Sequence, residues 1–201
     1  MSARVTEIFT SISREILRYE RTGTSGAKGV RYVLRRLIST VNFITISNDL
    51  LEAVRSAESM LHDIGNADAT FPVAAGKWSR KQILAHLIDS ASNNHQRFVR
   101  AATQGKLEFP GYEQDKLVGL QNPDLASWEL LLELWSSYNR YLAHVLQQIP
   151  ESLADTPCTI GGRAAVTLKW LAQDYVEHLK HHLNQILGSR FQTAWSATAS
   201  L

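Results

Sequence analysis

Cysteine is nearly absent. The 201-residue chain carries one, Cys158, so it can build neither an intramolecular disulfide framework nor an all-cysteine zinc site. Such sparing use suits a reducing, cytoplasmic setting. Five prolines and eleven glycines are too few for a collagen-like or low-complexity chain. No apolar run approaches the roughly 18 residues that a membrane-spanning helix needs. The opening MSARVTEIFT lacks the charged and long apolar regions of a secretory signal, and Glu7, Glu15 and Glu20 argue against an organelle transit peptide. Hairpin dipeptides between alternating apolar runs are missing, which leaves little strand signal. No internal repeat is visible.

What remains is an ordinary globular balance, 44% apolar and 20% charged. The length fits one domain, or one domain with an appendage. The net charge of +2 is unevenly spread. Residues 1–46 hold eight basic and three acidic side chains, and the remainder thirteen and sixteen, so the first segment is +5 and the rest −3. That asymmetry marks residues 1–46 as a basic N-terminal extension, partly helical or flexible, ahead of a domain over 47–201. Val5, Ile8, Phe9, Ile12 and Ile16 keep helical spacing there. TGTSGAKG at 22–29 breaks it, and a second apolar period runs from Val30 to Val41. Arg31, Arg35 and Arg36 read as a solvated helix face, because no interleaved aromatics or nucleic-acid motif accompany them. Neither a nucleic acid nor a membrane is expected as a partner.

From residue 47 the apolar period predicts four long helices. The first covers about 48–64, capped by Ser47 or Asn48. The second opens at Ser79, where Ser79-Arg80-Lys81-Gln82 fits a capping box, and stops at Gly105. The third starts near Asp124, just past Pro123, and ends before Pro150. The fourth runs from Thr167 to Gly188. Four amphipathic helices make an all-α four-helix bundle the default architecture. The second helix is about 39 Å long at 1.5 Å per residue. The connection 105–123 can run back over that distance at about 3.3 Å per residue, which permits a crossover. Trp128, Trp135 and Trp170 read as core or interface anchors, Gly161-Gly162 as a turn, and Cys158 as a bystander thiol in a loop without a nearby histidine.

Seven histidines are the informative feature: His62, His86, His95, His144, His178, His181 and His182. A pair at i and i+4 on a helix points two imidazoles the same way, which suits one metal ion. On a wheel with Leu168 at zero, His182 falls at about −40° inside the apolar stripe and His178 at about −80° on its shoulder. His181 falls at about −140°, near the polar back, and is expected to face water. Asp174, i−4 to His178, could hold its second ring nitrogen. The third ligand must come from elsewhere. On the second helix His86, Ser90, Asn93 and Arg97 form a polar stripe, which is either an exposed face or a buried site. The histidine pair is open in the same way, since core histidines can simply be hydrogen-bonded.

Trp78-Ser79, then Ile83-Leu84-Ala85-His86-Leu87-Ile88-Asp89-Ser90, then Asp174-Tyr175-Val176-Glu177-His178-Leu179-Lys180-His181-His182 resemble the DinB/YfiT-like superfamily over about residues 47–190. The resemblance implies a four-helix bundle with up-down-down-up topology and a divalent ion, zinc or nickel, held by His86, His178 and His182. Asp89 and Asp174 become candidate outer-shell groups. It further implies a small-molecule substrate, a metal-dependent S-transferase using a low-molecular-weight thiol or a hydrolase, and a homodimer. No side chain identifies itself as the catalytic acid or base, so a water or thiol on the ion carries the expected chemistry. Asn93 and Arg97 could hold an anionic substrate group if their stripe faces a cavity. The alternative is a non-catalytic bundle that binds a metal or ligand and dimerises.

Overall fold

The structure is a computed structural model and describes residues 41–195. The apolar periods of residues 1–40, with Arg31, Arg35 and Arg36, lie outside the described residues. Four long helices dominate the unit that begins at Asn42: α1 (Phe43–His62), α3 (Arg80–Gln104), α5 (Trp128–Gln148) and α6 (Leu168–Leu187). Two short helices, α2 (Asn66–Thr70) and α4 (Gln114–Gln121), lie in the connections. So do three strands: β1 (Leu107–Phe109), β2 (Pro157–Ile160) and β3 (Val166–Thr167). No helix among the described residues is long and apolar enough to cross a membrane.

Side-chain contacts fix the helix directions. Ser47 donates to the Ala143 carbonyl, and the Trp128 indole N–H donates to the Leu61 carbonyl. The start of α1 therefore meets the end of α5, and the two are antiparallel. Lys81 Nζ donates to the carbonyls of Asp124 and Ala126, and His95 meets Tyr138, so α3 and α5 are parallel. His86 against His182 and Phe98 against Tyr175 make α3 and α6 antiparallel. The result is up-down-down-up, with α1 and α3 each packed on both α5 and α6. Trp135, Leu50, Leu84, Leu87, Phe98, Leu142, Leu179 and Leu183 are fully buried between them.

The two long connections are tied together by the sheet. β1 pairs parallel with β2, Leu107 opposite Cys158, and β2 pairs antiparallel with β3. The sequence gives no hint of these strands because two to four residues are too few to show an alternation. Cys158 thus lies in β2, fully buried, rather than in a loop.

Helix starts shift in two places. α1 begins at Phe43, with Asn42 as N-cap in a capping box with Thr45. The β-branched run Ile44-Thr45-Ile46 hides this start, since such residues are weak helix formers. Ser47, expected as the cap, is buried inside the helix. The third helix begins at Trp128 with Ser127 as cap. Pro123–Leu125 forms a separate 3-10 turn, and the Asp124 carboxylate accepts from Ser79. Ser79 and Gln82 form the expected box, and Gly105 ends α3 at φ 75°. Trp128 and Trp135 are core residues, whereas Trp170 is exposed.

Candidate metal centre

α3 and α6 each present one face to the same interior point. His86 lies nearly two turns into α3, on the buried face that also carries Leu84, Leu87 and Ser90. His178 and His182, one turn apart on α6, face it. Each of the three rings offers a ligand atom, and these atoms lie within 4.8 Å of one another. His86 Nε2 and His178 Nε2 are 3.2 Å apart.

The outer ring nitrogens orient the inner ones. Gln185 Oε1 accepts from His182 Nδ1 at 2.9 Å, which leaves Nε2 as the lone-pair nitrogen of that ring. The same Gln185 amide reaches His181 Nε2 at 3.1 Å. Ser90 Oγ lies 3.4 Å from His178 Nδ1. His86 Nδ1 is buried and has no hydrogen-bond partner among the described residues. Two tryptophans close the surroundings. Trp78 lies 5.3 Å from His86 between ring centroids, and Trp195 lies 5.1 Å from His178 and 4.3 Å from His181. Trp195 is held there by the segment after α6, in which Thr193 Oγ1 donates to the Glu177 carbonyl and the Ala194 N–H to the Glu177 carboxylate.

Burial decides the protonation states. It pushes His86 down to about 3, with His182 adding to the shift, and His182 down to about 4. His178 is driven well below the usual imidazole range by burial and by the neighbouring His182 and His86. All three rings are therefore neutral near pH 7, the form that donates to a cation.

A cavity of about 290 Å³ opens beside His86 and His178, with Ser90, Arg97, Tyr112 and Asp174 on its walls. A second, of about 410 Å³, opens beside His182 and is lined by Val73, Trp78 and Ile83. Gln114 borders both. The sheet shapes the first cavity. Gly161 turns the chain after β2 against Gly111 at φ +60°, a left-handed conformation that favours glycine. The expected Gly161-Gly162 turn is present, and Gly161 forms part of the cavity wall.

The DinB superfamily model matches residues 49–186. The chain belongs to the DinB superfamily. A protein of Geobacillus thermodenitrificans named "Putative metal-dependent hydrolase" is 25% identical over 76% of this chain and 85% of its own length. A protein of the same name from Bacillus cereus strain G9842 is 23% identical over 82% of this chain and 95% of its own. Among solved structures, YfiT from Bacillus subtilis matches with a TM-score of 0.61 at 20% identity, covering 72% of this chain and 81% of that one. It is described as a probable metal-dependent hydrolase with an unusual four-helix bundle topology.

Within this DinB bundle the residues picked from sequence divide into those at the site and those outside it. His86, His178 and His182 converge. His181 stands outside the trio but is half-buried under Trp195 rather than turned to water. Asp174 lines the first cavity, and burial pushes its carboxyl up to about 6. Ser90 takes the position at His178 Nδ1 that Asp174 was expected to fill. Asp89 points elsewhere: its carboxylate accepts from Gln121, which ties α4 to α3. Arg97 is buried on the cavity wall, but Asn93 donates to the Asp89 carbonyl, and Asn94 lines the cavity in its place. On a helix of 3.6 residues per turn, i+7 and i+8 from His86 flank the same line, so spacing alone does not choose between them. Sequence reasoning missed Gln185 and Tyr112. Gln185 had a signal, standing i+3 to His182 and i+4 to His181; Tyr112 lies in a connection without periodicity.

Proposed function

We propose that this protein is a divalent-metal-dependent hydrolase whose ion is held by His86, His178 and His182. The convergence of three neutral imidazoles from two distant helices, His86 and His182 buried and His178 half-buried, carries the reading. The donor set fits such an ion. Two nitrogens bound tetrahedrally to zinc at about 2.0–2.1 Å stand roughly 3.3 Å apart, and His86 Nε2 and His178 Nε2 are at 3.2 Å. Three imidazoles suit zinc or nickel. Two of the rings, His182 and His178, are oriented from behind by Gln185 and Ser90, as metal-ligating histidines usually are.

A divalent ion there would supply Lewis acidity, lowering the pKa of a water toward neutrality and polarising the bond to be cleaved. The chain's own groups do the rest. Trp78 and Trp195 restrict access of bulk water to the rings. Asp174 Oδ is the acidic group on the cavity wall, and its raised pKa of about 6 suits it to exchange a proton near neutral pH. The cavity beside His86 and His178 and the one beside His182 give a substrate room next to the trio.

The test is elemental analysis of untagged protein, followed by turnover on a panel of esters, amides and lactones with and without chelator. One ion per chain and chelator-sensitive hydrolysis support the reading. Failure to retain zinc after loading overturns it. A thiol and electrophile pair run alongside reports S-transfer, and turnover that needs the thiol would replace hydrolysis with transfer.

A further inference from the structure

Arg97 is the least explained residue in the molecule. It is 4% exposed, yet Nε and Nη2 have no hydrogen-bond partner among the described residues. Nη1 makes one long contact, 3.4 Å, to Asn94 Oδ1. Asp174 shares the cavity but does not bond to these nitrogens. Phe109 and Tyr112 lie over the guanidinium, 5.6 and 5.9 Å from its carbon to their ring centroids. Such rings stabilise the charge but leave the N–H groups unsatisfied. A buried donor without an acceptor is destabilising, more so when charged, so an unpaired pair of this kind calls for a ligand.

We propose that the cavity beside the histidines is a carboxylate receptor, in which the Nε–Nη2 edge of Arg97 binds the carboxylate of the substrate. This rests on the hydrolase reading and names its substrate class: a small carboxylate-bearing compound whose scissile bond reaches the histidine trio. The geometry favours a carboxylate. Nε–H and Nη2–H are parallel and match two oxygens of one planar group. Charge agrees, since the Arg97 guanidinium lies in the same lining as Asp174, the one carboxylate there, without bonding to it through Nε or Nη2. Arg97 lines the cavity with Nε and Nη2 covered against solvent, so binding requires the guanidinium to turn toward the ligand, a change that its Nε–H resonance reports. His86 and His178 share the same wall, which sets the rest of the ligand against the trio. At roughly 30 Å³ per water, about 290 Å³ admits a compound near ten heavy atoms.

The experiment titrates benzoate, its neutral isostere benzamide, and phenyl phosphate into the full chain by calorimetry, both metal-free and zinc-loaded. Metal-free protein isolates Arg97 from any contact of the probe with the ion. Benzoate is expected to bind metal-free wild type about tenfold or more tightly than benzamide. Arg97→Gln should erase that preference, and Arg97→Lys should retain only part of it. Benzoate should also shift the Arg97 Nε–H NMR resonance, a readout that needs no variant to fold. Equal binding of benzoate and benzamide overturns the proposal. So does a preference that survives in Arg97→Gln, an unmoved Arg97 resonance, or tighter Arg97-dependent binding of phenyl phosphate. Zinc content of the same samples keeps the two readings apart. Protein that holds zinc but does not select benzoate sinks the receptor alone; protein that selects benzoate but takes no zinc sinks the hydrolase.

Discussion

Gln185 separates the work of two adjacent histidines. Its carbonyl oxygen holds His182 and its amide nitrogen reaches His181, so one ring is aimed inward and the other is held in a supporting position. His178→Ala and His182→Ala should each abolish stoichiometric metal, while His181→Ala should leave it nearly intact; elemental analysis of dialysed protein checks this. Gln185→Leu should keep the ion but weaken it about 10–100-fold, the usual cost of losing an outer-shell partner, measured by competition with a chromogenic chelator. Cys158 makes the opposite case. Buried in β2, with its thiol pushed up to about 11 by burial, it should resist thiol reagents in native protein at pH 8 and react once the chain is unfolded. Helical spacing placed His178 and His182 on one side of the last helix, whereas His86 joined them only through the family resemblance, because its polar stripe read equally as an exposed face. Asn94 and Tyr112 were not legible, because the first needs an exact helix phase and the second a connection's path.

Helices whose caps are explicit in sequence came out where expected. Ser79 accepts from the Gln82 N–H, Gln82 returns the bond, and Ser79 also donates to Asp124 across to the 3-10 turn. Ser79→Ala should therefore cost about 1–2 kcal/mol and lower the melting temperature without altering zinc content, a contrast with Gln185→Leu. α1 was misplaced at its start because Asn42 pairs with Thr45 rather than with a Glu or Gln, and β-branched residues follow. The strands were illegible for a different reason. They exist only because two crossovers meet over the bundle, a tertiary circumstance that local pattern does not carry. Helix existence thus follows from period and caps, whereas the sheet that walls the Arg97 cavity follows from topology.

At the scale of the molecule, three rings kept neutral by burial make stability depend on pH. Above pH 6.5 neither folded nor unfolded chain carries these protons. Below it the unfolded chain protonates rings that the folded one keeps neutral down to about 4 for His182 and about 3 for His86. Metal-free protein should therefore lose about 1.4 kcal/mol per pH unit for each such ring as pH falls from 6.5 toward 4, seen as a falling denaturation midpoint. Bound zinc should raise the midpoint by a nearly constant amount across that range, because rings already neutral in the folded chain give it no protons to displace. The segment ahead of the bundle is predicted to be dispensable if cut correctly: a chain beginning at Val41 keeps the Asn42 cap and should match the full chain in melting temperature and zinc content. One beginning at residue 48 loses Phe43 and Ile46 from the core and should be less stable. His86 and His178 stand 92 positions apart in the chain. A cation bound between them would act as a crosslink between distant parts of the folded bundle, its binding free energy adding to folding stability. Unlike a disulfide, that crosslink needs no oxidant and can be withdrawn. It also cannot form on a nascent chain until the last helix has emerged, so occupancy would certify that synthesis and assembly are complete.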